Sequence, residues 1–165
     1  MLSYILCFLI ALLVHELGHC LAAIACNVTV SEFGFGWGRK LCSLRIRGVD
    51  FVIRVLPVGA YVRLNLDELR RRPVDQQVLV LLAGIMANLV AGVVTGGTHF
   101  SLMNYLLAAT NILPLYQQDG WKCGMVFLRG TMRRKSPLID WSFTIAGSAL
   151  SLALIAAQIL TGQFR

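Results

Sequence analysis

The sequence predicts an α-helical membrane protein with four transmembrane helices and a membrane-associated β-hairpin on the cytoplasmic side. Three observations predict this class. Of the 165 residues, 57% are hydrophobic and only 14% are charged, whereas a soluble domain carries about 25% charged residues. Long apolar runs alternate with basic segments along the chain. One segment alternates apolar and polar residues around glycines, as strands do. Residues 1–165 are predicted to form a single domain.

The first predicted span covers residues 2–26, which are apolar apart from a short central stretch. At about 1.5 Å per residue, this run can cross a hydrocarbon core of about 30 Å. No Lys or Arg precedes it, and it is too long for the apolar core of a signal peptide. Three further apolar runs complete the predicted bundle. They are residues 78–95, 101–114 and 141–160.

Residues 32–64 are predicted to form a β-hairpin of two or three short strands. Glycines punctuate the segment, apolar and polar residues partly alternate on both sides of Gly48, and that glycine suits the turn. Two strands alone are marginally stable in water. We therefore expect the hairpin to lean on the bundle or to dip into the membrane edge. Residues 65–77 read as a polar linker with a helical turn.

The basic residues fix the predicted orientation. Fourteen of the fifteen Lys and Arg lie in segments 27–77 and 115–140, and the turn at 96–100 has none. With four spans, both basic segments face the same side, and the positive-inside rule makes that side cytoplasmic. Both termini then lie outside. This topology accounts for the net charge of +7, so no nucleic-acid partner is expected.

The first span contains a candidate metal site. His15 and His19 belong to an H-E-x-x-H pattern, and residues four apart share one face of a helix, so both imidazoles can reach one ion. Zinc accepts such ligands, and a catalytic zinc site keeps one position for water. Glu16 lies beside them and can take a proton from that water. The alternative, two packed histidines with an ion-paired glutamate, is disfavoured by the cost of burying three ionisable groups in one span.

Asp119 is the candidate for a third ligand, which must lie at the depth of the histidines. His15 lies about 20 Å from the outer end of its helix, which excludes His99 in the outer turn. Pro114 breaks the third span just before Asp119, and broken backbone at membrane depth is tolerated where it lines a polar cavity. The alternative interpretation of Asp119-Gly120 is a simple turn.

Together these residues resemble the site-2 protease family of intramembrane zinc metalloproteases, and bacterial proteases of the regulator of sigma-E type most of all. Those proteases carry PDZ domains where this chain has only the turn at 96–100. The resemblance follows the chain in order through five segments. They are 15–19 (H-E-L-G-H), 33–38 (F-G-F-G-W-G), 56–63 (L-P-V-G-A-Y-V-R), 83–88 (A-G-I-M-A-N) and 111–120 (N-I-L-P-L-Y-Q-Q-D-G).

The resemblance implies roles for these residues. His15, His19 and Asp119 would ligate one Zn²⁺ per chain, and Glu16 would act as general base and then as acid. Asn111 would hydrogen-bond the unwound substrate backbone, and the hairpin would offer an edge strand to the substrate. The substrate-binding candidates are Asn111, Gly59, Tyr61 and Asn88. For the two asparagines, hydrogen bonding between helices is the alternative.

The function that the resemblance implies is regulated intramembrane proteolysis in a bacterial inner membrane, with the active site near the cytoplasmic face. The partners would be the lipid bilayer and the transmembrane helix of a single-pass protein, such as an anti-sigma factor or a signal-peptide remnant. Two other functions were weighed. A protease-like protein that binds helices without cutting them does not need Glu16. The single set of candidate ligands argues against a metal transporter, which needs a conduction path.

Overall fold

The computed structural model describes residues 2–132, 141–142 and 144–150. Five helices and two strands follow one another along residues 2–132. They are α1 (Leu2–Ala25), β1 (Val30–Ile46), β2 (Val49–Leu64), α2 (Leu66–Arg71), α3 (Val74–Val94), α4 (His99–Ile112) and α5 (Asp119–Met132). Residues 141–142 and 144–150 are helical as well. The fold is therefore mostly helical with one antiparallel hairpin, as predicted.

Two helices are long and apolar enough to cross a membrane. They are α1, with 24 residues, and α3, with 21, and they confirm the first two predicted spans as candidates. The third predicted span is a helix of only 14 residues, about 21 Å long. The fourth, 141–160, lies mostly outside the described residues. Four crossings therefore stay a prediction.

Small residues bring α1 and α3 together. A Cβ added at Gly18 would lie 2.8 Å from the Cβ of Ala87 and would also meet the backbone of Ala83. The small residues of α3, among them Ala83 and Ala87, therefore let the backbones of the two helices approach closely. The close approach matters for the site, because it sets Gly84 directly against the histidines of α1.

The hairpin is longer than predicted. Its strands have 17 and 16 residues, and the turn lies at Arg47-Gly48, where both residues have a positive φ. Residues 32–35 have partners on both sides, 60–63 on one and 50–53 on the other. The strands thus fold back at register shifts, and such long-range pairing leaves no local signal in the sequence.

One apolar cluster anchors the base of the hairpin to the helices. It joins the end of α1, the first residues of both strands, α2 and α3, and its buried members are Cys20, Ala23, Cys26, Val28, Val30, Val49, Leu69 and Val80. The far half of the hairpin is exposed and carries large apolar side chains, among them Trp37, Leu41 and Leu44. That exposure accords with the expected membrane association, which stays a prediction.

Two short helices lie beside the hairpin base and at the end of α4. The helical turn predicted within the linker is α2, which Asn65 caps by accepting the backbone N–H groups of Asp67 and Glu68. A helix over residues 119–132 was not predicted, and the interpretation of Asp119-Gly120 as a tight turn is wrong. Asp119 instead begins α5. Gly120 serves close packing, since a Cβ there would collide with the carbonyl of Ile112.

Candidate metal centre

His15 and His19 lie one turn apart on the buried face of α1, as their spacing predicts. Only 4% of His15 and 6% of His19 is exposed. Their rings meet nearly edge to face, with centroids 4.8 Å apart. Because burying a polar group without a hydrogen bond is costly, the nitrogens of these two imidazoles need a polar partner.

Asp119 supplies that partner although it lies 104 residues after His15 in the sequence. The helix α4 ends at Ile112, and the backbone continues in extended form through Leu113 to the predicted break at Pro114. Residue 119 then begins α5 with its carboxylate 5% exposed. The predicted interruption of the helix is thus what lets Asp119 turn back toward α1.

The three side chains converge on one point. The Oδ2 atom of Asp119 lies 2.9 Å from the Nε2 atom of His15 and 2.9 Å from the Nε2 atom of His19. The two Nε2 atoms lie 3.2 Å apart. Two ligand atoms of a tetrahedral zinc ion bound through nitrogen or oxygen are about 3.3 Å apart. The sides of the triangle are therefore within about 0.4 Å of those of one face of such a site.

The backbone of α3 fixes the tautomer of His19. Its Nδ1 atom lies 2.8 Å from the carbonyl oxygen of Val80 and must donate a proton to it. In the neutral ring, Nε2 then carries a lone pair that faces the carboxylate of Asp119. Two lone pairs at this distance repel each other unless a cation or a proton lies between them. A hydrogen bond from the ring nitrogen that does not face the metal, like the bond from Nδ1 of His19 to Val80, usually supports a histidine that ligates a metal.

Lys122 holds the other oxygen of Asp119. Its Nζ atom donates a hydrogen bond to Oδ1 over 3.0 Å, three residues along α5. Burial alone would raise the pKa of the Asp119 carboxyl, but the two imidazole contacts and the Lys122 ammonium lower that pKa by more. The group therefore faces the histidines as an anion, with Oδ2 directed at both imidazoles.

Gly84 leaves the room that the two imidazoles occupy. A Cβ at this position would collide with Nε2 of His19 and would lie 2.8 Å from the ring of His15.

Among the residues that the structure describes, His15, His19 and Asp119 are the group whose ligand atoms could hold a metal ion. Two neutral nitrogens and one carboxylate oxygen are a donor set that suits Zn²⁺. The residues present therefore fit a zinc ion.

A cleft of about 1360 Å³ opens onto this centre. Its lining includes Glu16, His19 and Asp119 together with residues 61–64 of β2. Glu16 is half-buried on the turn of α1 that carries the histidines. The predicted base and two of the predicted ligands thus line the same cleft as an extended strand.

The four predicted substrate-binding residues differ in whether they reach the cleft. Tyr61 lines the cleft. Gly59 is buried on the strand and lies close to the Trp37 ring. Asn88 is fully buried with both amide atoms unpaired among the described residues, and Asn111 donates to the carbonyl of Leu107 on its own helix. Only Tyr61 of the four lines the cleft, and the binding roles stay predictions.

Three residues of the centre were missed. Gly84 is one of several small residues in the second predicted span, and close helix packing is enough to explain such residues from the sequence. Lys122 follows Asp119 by three residues, a spacing that pairs side chains on any helix, but no helix was predicted there. The third is Val80, which acts through its backbone carbonyl and leaves no trace in the sequence. His99, excluded as a ligand, contacts Tyr4 near the start of α1, with ring centroids 4.3 Å apart.

The family that this geometry indicates is confirmed by comparison with known proteins. The family described as Peptidase family M50 matches residues 3–101, more than half of the chain. The chain belongs to Peptidase family M50. This is the site-2 protease family, whose zinc chemistry agrees with the donor set of the centre.

Several bacterial relatives of this M50 chain carry matching names. It is 34% identical to "Metalloprotease MmpA" of Caulobacter vibrioides over 48% of this chain and 28% of the relative. Two proteins named "Putative zinc metalloprotease" are also similar. That of Clostridium acetobutylicum is 33% identical over 54% of this chain and 29% of the relative. That of Helicobacter pylori is 45% identical over 32% and 15%. The chain thus spans less than a third of each relative.

Proposed function

We propose that this chain is the catalytic core of an intramembrane zinc metalloprotease that cuts a peptide bond within a transmembrane helix. The observation that carries the proposal is the convergence of His15, His19 and Asp119 beside Glu16 at the wall of an open cleft. The M50 membership and the names of the relatives support the same chemistry.

In this proposal, His15, His19 and Asp119 hold the metal, and Glu16 moves the protons. A zinc ion there supplies Lewis-acid polarisation of the scissile carbonyl and acidifies water. Glu16 lines the cleft next to two of the ligands. Its carboxylate takes a proton from the attacking water and delivers it to the leaving nitrogen, the work of a general base and then of a general acid. The carbonyl of Val80 holds His19 in the required tautomer.

The substrate must reach this centre as an extended chain, because a helical peptide bond is shielded by its own hydrogen bonds. Residues 60–63 pair with 32–35 on one side, and no other described strand pairs with them on the other. A substrate strand could add to this edge, which lines the cleft. Asn111 would need to release its bond to the Leu107 carbonyl to bind the substrate backbone.

The finer assignments belong to the same proposal. Residues 1–165 would form one protease domain with four spans, with both basic segments on the cytoplasmic side and both termini outside. The protein would lie in a bacterial inner membrane, with the metal near the cytoplasmic face. Its substrate would be a single-pass protein such as an anti-sigma factor or a signal-peptide remnant. The two candidate spanning helices support a membrane location.

Replacing Glu16 by Gln tests this function. The full chain would be reconstituted in lipid nanodiscs with a single-pass reporter helix that carries a fluorophore on each side of the membrane. Because only proton transfer is lost, we expect Glu16→Gln to keep its metal while the cleavage rate falls by about 10²- to 10⁴-fold. Asp67→Asn is the matched control, because that carboxylate is exposed on α2 away from the centre. Equal cleavage by wild type and Glu16→Gln would show that the proposed mechanism is wrong.

A further inference from the structure

A cluster of ionic and polar side chains ties the hairpin together outside the metal centre. We call Glu32, Arg54 and Tyr61 the hairpin clamp. Glu32 is only 7% exposed although it is charged. Its Oε1 atom accepts hydrogen bonds from the Tyr61 hydroxyl and from Nη2 of Arg54, the latter over 2.9 Å. Arg54 in turn donates from Nε to the Tyr61 oxygen over 2.8 Å and from Nη1 to the carbonyl of Gly38 over 2.9 Å.

The clamp links three neighbouring stretches of the sheet. Glu32 begins the middle stretch, residues 32–35, which lies between 60–63 and 50–53. Tyr61 belongs to the first of these outer stretches, and Arg54 directly follows the second. One buried carboxylate therefore holds both outer stretches against the middle one. Arg63 adds a weaker contact to the same carboxylate, at 3.4 Å.

Gly34 provides the space that the Tyr61 ring occupies. The two residues are Cα partners across the strands, and a Cβ at Gly34 would coincide with the Tyr61 ring. The ring therefore occupies the space above the glycine, and its hydroxyl donates a hydrogen bond to Glu32. A change as small as one methyl group at position 34 would displace Tyr61 without removing any charge.

The held stretch is the one that faces the metal centre. Residues 61–64 line the cleft together with Glu16, His19 and Asp119. Resting on the proposed function above, we propose that the hairpin clamp is a positioning device that fixes the 60–64 edge for an added substrate strand. Its members are positioning residues. They set where the scissile bond lies relative to Glu16, and strand addition depends on a fixed register of the accepting edge.

Substrate binding and cleavage distinguish this role from mere stabilisation of the hairpin. The Glu16→Gln chain would be titrated with the reporter helix in nanodiscs, and KM and kcat would be measured with Glu16 intact. We expect Glu32→Gln to raise Kd and KM by about fivefold or more, since the lost bonds are charge-assisted, and to leave the zinc content unchanged. Gly34→Ala should raise KM in the same way, and Tyr61→Phe should do so less.

The control and a second measurement keep the test decisive. Asp50→Asn breaks the exposed pair with Arg45, 3.4 Å apart near the hairpin turn, and should change neither KM nor zinc content. Amide hydrogen exchange of folded Glu32→Gln should quicken over 60–64 and stay unchanged over 43–46. If Glu32→Gln does not fold, Gly34→Ala and Tyr61→Phe decide through the same measurements.

Two outcomes would overturn the proposal. A wild type that cuts the reporter, together with clamp variants whose KM stays within twofold of it, would refute the clamp's role and leave the proposed function intact. A wild type that holds zinc but neither binds nor cuts any reporter helix would refute both. A drop in thermal stability with unchanged KM and unchanged exchange at 60–64 belongs to the first outcome, because it shows a stabilising role only.

Discussion

The metal centre and the hairpin clamp are two polar clusters that both contribute to the lining of one cleft, the clamp through Tyr61, and they are built in different ways. The centre depends on close packing of α1 against α3, which contact each other through glycine and alanine. There is no room for a Cβ at Gly84 beside the imidazoles. The clamp depends on charge, because one carboxylate holds Arg54 and Tyr61 across three stretches of strand. The difference teaches that added volume at Gly84 should damage the centre and spare the clamp, whereas lost charge at Glu32 should damage the clamp and spare the centre.

The largest expected effect separates the two clusters by volume. In Gly84→Ala, the new methyl group overlaps Nε2 of His19, so the imidazoles must move apart. We expect zinc affinity to fall by about 100-fold or more, while hydrogen exchange over 60–64 stays at the wild-type rate. Metal content by mass spectrometry and exchange on the same sample check this. Gly96→Ala is the control, since a Cβ there makes only an ordinary contact of 3.5 Å. Full zinc retention in Gly84→Ala would contradict the close-packing account.

A smaller effect is expected at the outer support of the centre. Lys122→Met removes the ammonium from Oδ1 of Asp119 but leaves Oδ2 facing the histidines. Because outer supports orient a ligand without binding the metal, we expect zinc affinity to fall by about tenfold. Competition with a chelator of known affinity measures it. Lys40→Met, on the exposed part of the hairpin, should change nothing. An affinity equal to that of the wild type would show that Asp119 needs no such support.

The smallest effect is a pH dependence confined to the hairpin. The hydrogen bond from Tyr61, joined by that from Arg54, lowers the pKa of the Glu32 carboxyl. A carboxyl with a depressed folded pKa stabilises above its unfolded pKa, about 4.3, and loses this effect as the pH falls through its folded value. Exchange protection over 60–64 should therefore hold from pH 7 to about 5 and decline below about 4. In Glu32→Gln this acid decline should be absent, and an identical decline would assign it to another group.

The two clusters also differ in how far the sequence could predict them. His15, Glu16 and His19 lie within five residues of one helix, so a local pattern predicts them. The four-residue spacing of the two histidines puts both on one face of that helix. Asp119 was found through Pro114 and the family likeness. The clamp was not found, because Glu32 meets Arg54 and Tyr61 only through a register that long-range pairing sets. Gly84 and Val80 were missed for a related reason, since one acts by lacking an atom and the other by its backbone.

The fold shows the same division. The apolar runs predicted α1 and α3 well, because hydropathy over twenty residues is a strong signal. The hairpin was predicted at the correct position in the sequence, but its strands were predicted too short. Residues 32–35 pair on both sides with distant stretches of the chain, and the alternation of apolar and polar residues does not reveal such pairing. The helix α5 was missed because Asp119-Gly120 also suits a turn. Its first turn lies against the end of α4, where a Cβ at position 120 would have no room beside the carbonyl of Ile112.

The central claim is that His15, His19 and Asp119 together hold zinc, and the metal content of the purified chain tests it most directly. Wild type and Asp119→Ala would be compared after zinc loading and desalting, with Asp67→Ala as the control for an exposed carboxylate. We expect about one zinc ion per chain in the wild type and the control, and clearly weaker retention in Asp119→Ala. A folded wild type without bound zinc, or equal retention in Asp119→Ala, would contradict the three-ligand site.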